Sequence, residues 1–191
     1  MKKLLASVFA VLALSACDSS DISKIEQIIP AQEATVEHCV AMPTPEEHTW
    51  GDPVAPIQAW RAVTCQRGWT TEDTEKWIPF VTDVIMKESG GCWNLRRGAI
   101  VGIWEGCQLS KQGKYSDSGY GQLISLHYKL NPKNSAAGWL CKQEGLCSSD
   151  QIIATPESSM TALVAMVERS GKLPWCYDAR ARRYHNCSLA P

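Results

Sequence analysis

The sequence predicts an α+β fold that is mainly α, arranged as a single domain stapled by disulfides. Several stretches place apolar residues at helical spacing and end at glycine, whereas residues 94–119 are rich in glycine and indicate turns with a small hairpin. An even number of cysteines remains once Cys17, near the start, is set aside. We divide the chain into three parts: a signal peptide (residues 1–16), a lipid-anchored tether (residues 17–53) and one domain of ordinary size (residues 54–191).

The first residues predict export. Lys2 and Lys3 precede an apolar run, Leu4 to Ala16, that is too short to span a bilayer comfortably and is typical of a secretory signal peptide. The run ends in Leu-Ser-Ala-Cys, which resembles a bacterial lipobox and implies that Cys17 is the first mature residue and carries lipid. The alternative is an ordinary secretion signal with an incidental cysteine. We expect an exported protein anchored to a bacterial membrane, on its periplasmic or outer face.

The stretch after the anchor predicts a tether. It is acidic and interrupted by prolines, with Cys39 as the one sign that its middle is attached to the domain. Lys2 and Lys3 are lost with the signal peptide, so 17 of the 19 basic residues remain against 20 acidic ones, a net charge of −3. This balance gives no electrostatic footprint for nucleic acid.

Eight further cysteines in an exported chain predict up to four disulfides. Proximity in sequence favours four pairs, which are Cys39–Cys65, Cys92–Cys107, Cys141–Cys147 and Cys176–Cys187. Zinc is the competing use of clustered cysteine, but no C-x-x-C occurs and the four histidines are scattered. We therefore expect neither a metal nor a cofactor.

Three helices are predicted in the domain. The first covers Ala59 to Cys65 and ends at Gly68. The second follows a capping signal at residues 70–73, and Pro79 favours a start near Ile78, with an earlier, kinked turn as the alternative. The last has Thr155 as its cap, Pro156 at its first position and Gly171 as its stop, with a buried stripe of Met160, Leu163, Val164 and Val167.

Glu88 is the most informative residue of the second helix. It falls on the same face as Val81, Val84 and Ile85, one turn beyond them, and Ser-Gly-Gly ends the helix at this point. A desolvated carboxyl holds its proton more tightly, which suits a general acid. The alternative is a structural glutamate satisfied by a hydrogen bond.

A second motif, Asp-Ser-Gly-Tyr-Gly-Gln-Leu-Ile at residues 117–124, follows the Glu-Ser-Gly-Gly of residues 88–91. Together with the late helix and Pro-Trp at residues 174–175, this pair resembles the lysozyme-like lytic transglycosylases. The resemblance covers about residues 57 to 178 and implies a lysozyme-like domain. It departs from the family in that Gln122 follows Gly121 directly.

The resemblance implies a role for each matched residue. Glu88 would be the catalytic acid and base, Ser89 would orient it, and Tyr120 and Gln122 would contact an N-acetyl sugar. Asp117 is a candidate second carboxylate, or alternatively the cap of a turn. Amphipathic aromatic rings are also candidates for lining a sugar groove, namely Trp93, Trp104, Tyr115, Tyr120, Trp139 and Trp175.

The function implied by the resemblance is cleavage of the bond between N-acetylmuramic acid and N-acetylglucosamine in peptidoglycan, with formation of 1,6-anhydro products. A lysozyme-type hydrolase using Asp117 or Glu105 as its second carboxylate is one alternative. A catalytically silent cell-wall binding or inhibitor module is the other. We expect the partners to be glycan strands and, through the anchor, a membrane, with the protein itself a monomer.

Overall fold

The computed structural model describes residues 39–98, 107, 113–178, 183–184 and 191. All of them belong to a compact unit, His38–Pro191, that is separate from Met1–Glu37. The predicted signal peptide, the lipid site Cys17 and the first part of the tether lie outside the described residues. So do Trp104, Glu105 and Cys187.

The described chain is mainly helical, as predicted. A short 3-10 turn, Pro45–Glu47, precedes helices α1 (Val54–Gln66) and α2 (Thr71–Ser89). The remaining elements are α3 (Ser125–Tyr128), α4 (Trp139–Glu144), α5 (Ser149–Ile152), α6 (Pro156–Ser170), α7 (Leu173–Cys176), β1 (Tyr177–Asp178) and β2 (Arg183–Tyr184). The two short strands pair antiparallel. Within the part of the chain that is described, none of the helices combines the length and apolar character needed to cross a bilayer.

The core forms where α1 packs against both α2 and α6. Trp60 of α1 is fully buried, and its indole N–H donates to the carbonyl of Thr74 at 3.1 Å. The predicted stripe of α6 faces this core, and Thr155 caps the helix as expected, accepting a bond from the Ser158 N–H. The other face of α6 packs on α4 and α5 in a second apolar cluster. Helix α6 is therefore shared by both clusters and holds the domain together.

Helix α2 begins earlier than predicted. It starts at Thr71, with the Thr70 hydroxyl accepting from the Asp73 N–H, and Pro79 lies inside it. Pro79 has no N–H to donate to the carbonyl one turn earlier, which is why the sequence favoured a start near Ile78. Burial compensates, because Phe80 is almost wholly covered and Trp77 packs beside it. The packing of these side chains therefore stabilises the helix despite the proline.

Three of the predicted disulfides are confirmed: Cys39–Cys65, Cys92–Cys107 and Cys141–Cys147. Cys176 is disulfide-bonded as well. The first disulfide joins the predicted tether to α1.

The folded domain extends further toward the N-terminus than the predicted boundary at residue 54. Met42 packs against the core, His48 is buried, and the N–H of Gly51 donates to the carbonyl of Gly90 at 2.8 Å. Residues 39–53, assigned to the tether from their prolines and acidic side chains, therefore form part of the domain. A proline-rich segment needs no helix to pack, and the disulfide fixes it in place.

Candidate active site

The end of α2 is set by two glycines. Gly90 adopts the left-handed conformation, φ 59° and ψ 23°, that ends a helix. A Cβ on Gly90 would lie only 2.4 Å from the ring of Trp50, and one on Gly91 would lie 2.8 Å from the carbonyl of Asp52. Both positions therefore require glycine for close approach as well as for φ. Glu88 is fixed at this terminus, one residue before the last of the helix.

The second motif is brought to the same place by short antiparallel pairing. Isolated bridges join Arg96 to Ser118 and Ser118 to Leu123. The N–H of Arg97 donates to the carbonyl of Asp117, and the N–H of Gly119 donates to that of Leu95. The centre of the region in which turns and a small hairpin were predicted, residues 99–106 and 108–112, lies outside the described range. The pairing carries the residues that follow α2 alongside the glycine-rich motif.

Both motifs line one pocket of about 380 Å³. This volume lies within the range of small-molecule sites, roughly 300–1,000 Å³. Its lining residues are Glu88, Leu95, Arg96, Arg97, Gly98, Asp117 and Gln122. Three of the predicted site residues, Glu88, Asp117 and Gln122, therefore share one surface.

Glu88 lies at the pocket and is exposed to solvent, unlike the buried Val81, Val84 and Ile85 with which the helical spacing grouped it. The pKa of its carboxyl is nevertheless raised above the ordinary value, first because the pocket walls remove part of its water. Arg97 opposes this and lowers the pKa, whereas the negative charge of Asp117 raises it further. A carboxyl that is reachable and protonated to higher pH than usual can donate a proton to a ligand.

Gln122 has an unusual backbone for a residue with a side chain, because its φ is 48°. Its amide nitrogen donates to the carbonyls of Leu95 at 3.0 Å and Gly119 at 2.9 Å. Carbonyls only accept, so these two bonds fix which end of the amide is nitrogen. Oε1 is buried and has no hydrogen-bond partner among the described residues. A strained residue with an unused acceptor beside a pocket is typical of a functional position.

Tyr120 lies in the core instead of at the pocket. Its ring is fully buried, and its hydroxyl is hydrogen-bonded to Nε2 of His48. The other ring nitrogen of His48 lies 2.9 Å from the Thr44 carbonyl and must donate to it, so Nε2 accepts from the tyrosine. Burial lowers the pKa of His48 and raises that of Tyr120, which keeps both neutral. A ring with no exposed surface cannot contact a sugar, so this placement argues against the expected contact between Tyr120 and an N-acetyl sugar.

Ser89 is also buried, and its hydroxyl donates to the carbonyl of Ile85 at 3.0 Å. It therefore satisfies the helix backbone, and no hydrogen bond links it to Glu88 in the described structure. No direct contact therefore supports the predicted role of Ser89 in orienting Glu88.

The aromatic candidates separate by exposure. Trp93 and Trp139 are buried, and Trp175 is half-buried with its N–H donating to the carbonyl of Gly121. Tyr115 is 61% exposed, and its ring lies 3.0 Å from where a Cβ on Gly98 would stand. Because Gly98 lines the pocket, Tyr115 is the described aromatic residue best placed at its rim.

Sequence reasoning missed the two arginines of the pocket. Arg97 donates from Nη1 to Oδ2 of Asp117 at 3.1 Å, and Arg96 pairs with Asp150. The only signal available was their position between the two motifs. His48 was missed as well, because its partner Tyr120 is distant in sequence.

No protein-family model, curated protein or solved structure matches the chain. Among the described residues, no group of three or more His, Cys, Asp or Glu side chains is arranged to hold a metal ion. The chemistry of the site is therefore argued from its own side chains.

Proposed function

We propose that the protein cleaves the bond between N-acetylmuramic acid and N-acetylglucosamine in peptidoglycan, with Glu88 as general acid and base. The observation that carries this proposal is the shared pocket, where the helix-terminal acid meets Asp117 and Gln122 of the second motif. Those are residues by which the sequence resembles the lysozyme-like lytic transglycosylases. The raised pKa of Glu88 fits the role, because an acid catalyst must hold its proton until the glycosidic oxygen takes it.

The reaction proceeds in two steps if it follows the lytic transglycosylase route. Protonated Glu88 gives its proton to the leaving glycosidic oxygen as the bond to the muramic acid C1 breaks. The sugar's own acetamido oxygen stabilises the positive charge at C1. Glu88, now ionised, removes the proton from the 6-hydroxyl, whose oxygen closes on C1 to form a 1,6-anhydro ring. The proton returns to Glu88, and no water is consumed.

Residues around Glu88 are placed to bind the sugar during this reaction. The unpaired Oε1 of Gln122 is an acceptor suited to an acetamido N–H, once the side chain or the sugar moves enough to reach it. Tyr115 offers an exposed ring for stacking on a sugar face at the rim. Ser89 and Tyr120 act on the site through the backbone and the core.

A hydrolase is the second candidate, and Asp117 is the observation that favours it. Its side chain is only 16% exposed, lies in the same pocket as Glu88 and pairs with Arg97. An ionised carboxylate facing a protonated one is the arrangement that glycoside hydrolases use. In that route Asp117 activates water or attacks C1, and the product carries an ordinary reducing end.

We propose further that the protein is exported and anchored by lipid on Cys17, on the periplasmic or outer face of a bacterial membrane. The disulfides support export, because such bonds persist in oxidising compartments. Peptidoglycan lies in that compartment. The glycan strand and the membrane are then the partners of a monomeric protein.

The test of the enzyme is Glu88→Gln, which keeps size and polarity but removes the proton. We expect lysis of purified peptidoglycan to be lost, with the thermal midpoint unchanged or slightly higher. A raised pKa in the folded state means that the contribution of Glu88 to stability is present at low pH and lost as pH rises through that pKa. At neutral pH glutamine therefore removes no stabilising charge.

Glu72→Gln is the matched control, because it makes the same change at the other, exposed end of α2. It should lyse peptidoglycan like the parent protein. Equal lysis by Glu88→Gln and the parent would refute Glu88 as the catalytic acid, and glycan binding without lysis by either would refute the enzyme and favour a silent binding module. The mass of the released muropeptides separates the two enzymes, since a transglycosylase product is lighter by one water.

A further inference from the structure

We infer that Arg97 forms a carboxylate-binding subsite at the pocket of Glu88 and selects glycans that carry carboxylates. The inference rests on the proposed function, because it names the substrate class of the same site. It begins from the way Arg97 is held. The Arg97 side chain is 68% exposed, whereas the side chain of Asp117, which it contacts, is 16% exposed.

The contact between these residues uses little of the guanidinium. Nη1 donates to Oδ2 of Asp117 at 3.1 Å, and this is the single side-chain hydrogen bond that Arg97 makes to other described residues. A guanidinium has five N–H groups arranged as a fork. Nε and Nη2 have no acceptor among the described residues, so the exposed part of the side chain can donate to water or to a ligand. Asp117 therefore holds the guanidinium through Nη1 and leaves the edge formed by Nε and Nη2 exposed.

Arg67 shows how this protein neutralises an arginine when its role is structural. Its guanidinium forms bidentate contacts with Glu144 and with Glu168, at 2.5 to 3.1 Å. All of its donors face carboxylates from two different helices. Among the described residues, Arg97 has one carboxylate partner and one side-chain hydrogen bond. The contrast indicates that the capacity of Arg97 is kept for another group.

The charges of the pocket also allow an anion to bind. Among the described residues, its charged lining consists of Arg96, Arg97, Asp117 and Glu88. Arg96 is held by Asp150, which lies outside the lining and is 85% exposed. When Glu88 carries the proton that catalysis requires, each arginine of the described lining is paired with one carboxylate, Arg96 with Asp150 and Arg97 with Asp117, so the described charges balance. An approaching carboxylate can therefore reach the exposed side of Arg97 without repulsion from an ionised Glu88.

A carboxylate matches the exposed edge best among the groups of a cell-wall glycan. The planar fork of arginine meets both oxygens of a carboxylate, with two parallel N–H···O bonds. Peptidoglycan offers carboxylates from two sources, the lactyl group of muramic acid without its peptide and the acids of the stem peptide. A chitin-type glycan has the same backbone of N-acetylated sugars and no carboxylate. Arg97 would separate these two classes of glycan.

Binding tests the inference without relying on turnover. The full-length chain in detergent, carrying Glu88→Gln so that ligands stay intact, is titrated by calorimetry with three tetrasaccharides. These are chitotetraose, the alternating N-acetylglucosamine and N-acetylmuramic acid tetrasaccharide without peptide, and the same glycan with stem peptides. We expect the carboxylated glycans to bind more tightly, with an advantage that shrinks as salt rises.

Arg97→Gln in the same background should remove that advantage, weakening the carboxylated glycans about tenfold or more, as expected for a charged pair, and leaving chitotetraose unchanged. Arg97→Lys keeps the charge but loses the fork, so it should recover only part of the effect. Arg61→Gln is the control, because Arg61 pairs with Glu75 on the exposed surfaces of α1 and α2. It should bind all three glycans like its parent.

The pattern of losses identifies the source of the carboxylate. A loss with the peptide-free glycan assigns the lactyl group, and a loss confined to the peptide-bearing glycan assigns the stem peptide. Unchanged binding of both carboxylated glycans by Arg97→Gln, with an unchanged thermal midpoint, would overturn the inference. That result leaves the enzyme standing, since the lysis assay of Glu88→Gln judges the enzyme separately.

Discussion

Gly90→Ala probes how the N-terminal segment holds the end of α2. Two penalties combine there. A residue with a Cβ pays about 1–2 kcal/mol in the left-handed region, and the added atom would lie 2.4 Å from the Trp50 ring. The Trp50 side chain is 37% exposed and can partly give way, so displacing it costs about 1 kcal/mol, the lower end of the range for overpacking. We expect Gly90→Ala to lower the free energy of unfolding by about 2–3 kcal/mol.

Gly68→Ala separates the two penalties. Gly68 is also left-handed, with φ 78°, but a Cβ there meets nothing within 4 Å. It should therefore pay only the conformational part, about 1–2 kcal/mol. Urea unfolding at equal protein concentration measures both variants, and the difference between them is the contribution of the Trp50 contact.

A double-mutant cycle with Trp50→Ala completes the experiment. In a protein that already lacks the ring, Gly90→Ala should cost no more than Gly68→Ala, because the clash has been removed. If Gly90→Ala and Gly68→Ala cost the same with Trp50 present, the ring does not pack on the helix end and the reasoning fails. Peptidoglycan lysis should fall in Gly90→Ala, because Glu88 lies two residues before the distorted position.

Two further predictions concern the site and the disulfides. If protonated Glu88 is the acid, the basic limb of the activity–pH profile follows the pKa of Glu88. Asp117→Asn removes a charge that raises this pKa, so the limb should move to lower pH. Arg97→Gln removes a charge that lowers this pKa, so the limb should move to higher pH. Shifts in the same direction would contradict this. Loss of the Cys39–Cys65 disulfide, whose cysteines are 26 residues apart, should cost about 3.5 kcal/mol in urea unfolding. Loss of the pair separated by 6 residues should cost only about 2 kcal/mol, and the reverse order would be inconsistent with chain entropy.

The sequence predicts those structural features that depend on interactions within one or two helical turns. The capping signal at residues 70–73, the cap at Thr155 and the stripe of α6 each lie within one or two turns, and each is present in the structure. The sequence nevertheless favoured a start of α2 near Ile78, because of Pro79. Pro79 is unfavourable by its local geometry, and the burial that outweighs it comes from side chains on other helices.

The candidate site shows the same division. Glu88 was identified from helical spacing and a glycine stop, and Gln122 from a motif, so both were accessible to sequence reasoning. Tyr120 was interpreted as a sugar contact because an amphipathic ring suits either a groove or a core. Its actual partner, His48, is 72 residues away. No local pattern reports a pairing at that distance.

The N-terminal segment explains why the site could be only partly predicted. Prolines and acidic residues make residues 39–53 resemble a linker, yet Trp50 and Gly51 contact Gly90 while His48 holds Tyr120. One segment therefore braces both motifs, the helix end that carries Glu88 and the loop that carries Gln122. Because Cys39–Cys65 fastens this segment to α1, the disulfide that appears remote from the pocket supports its geometry. Reduction of that bond should consequently loosen the acid and the glutamine together.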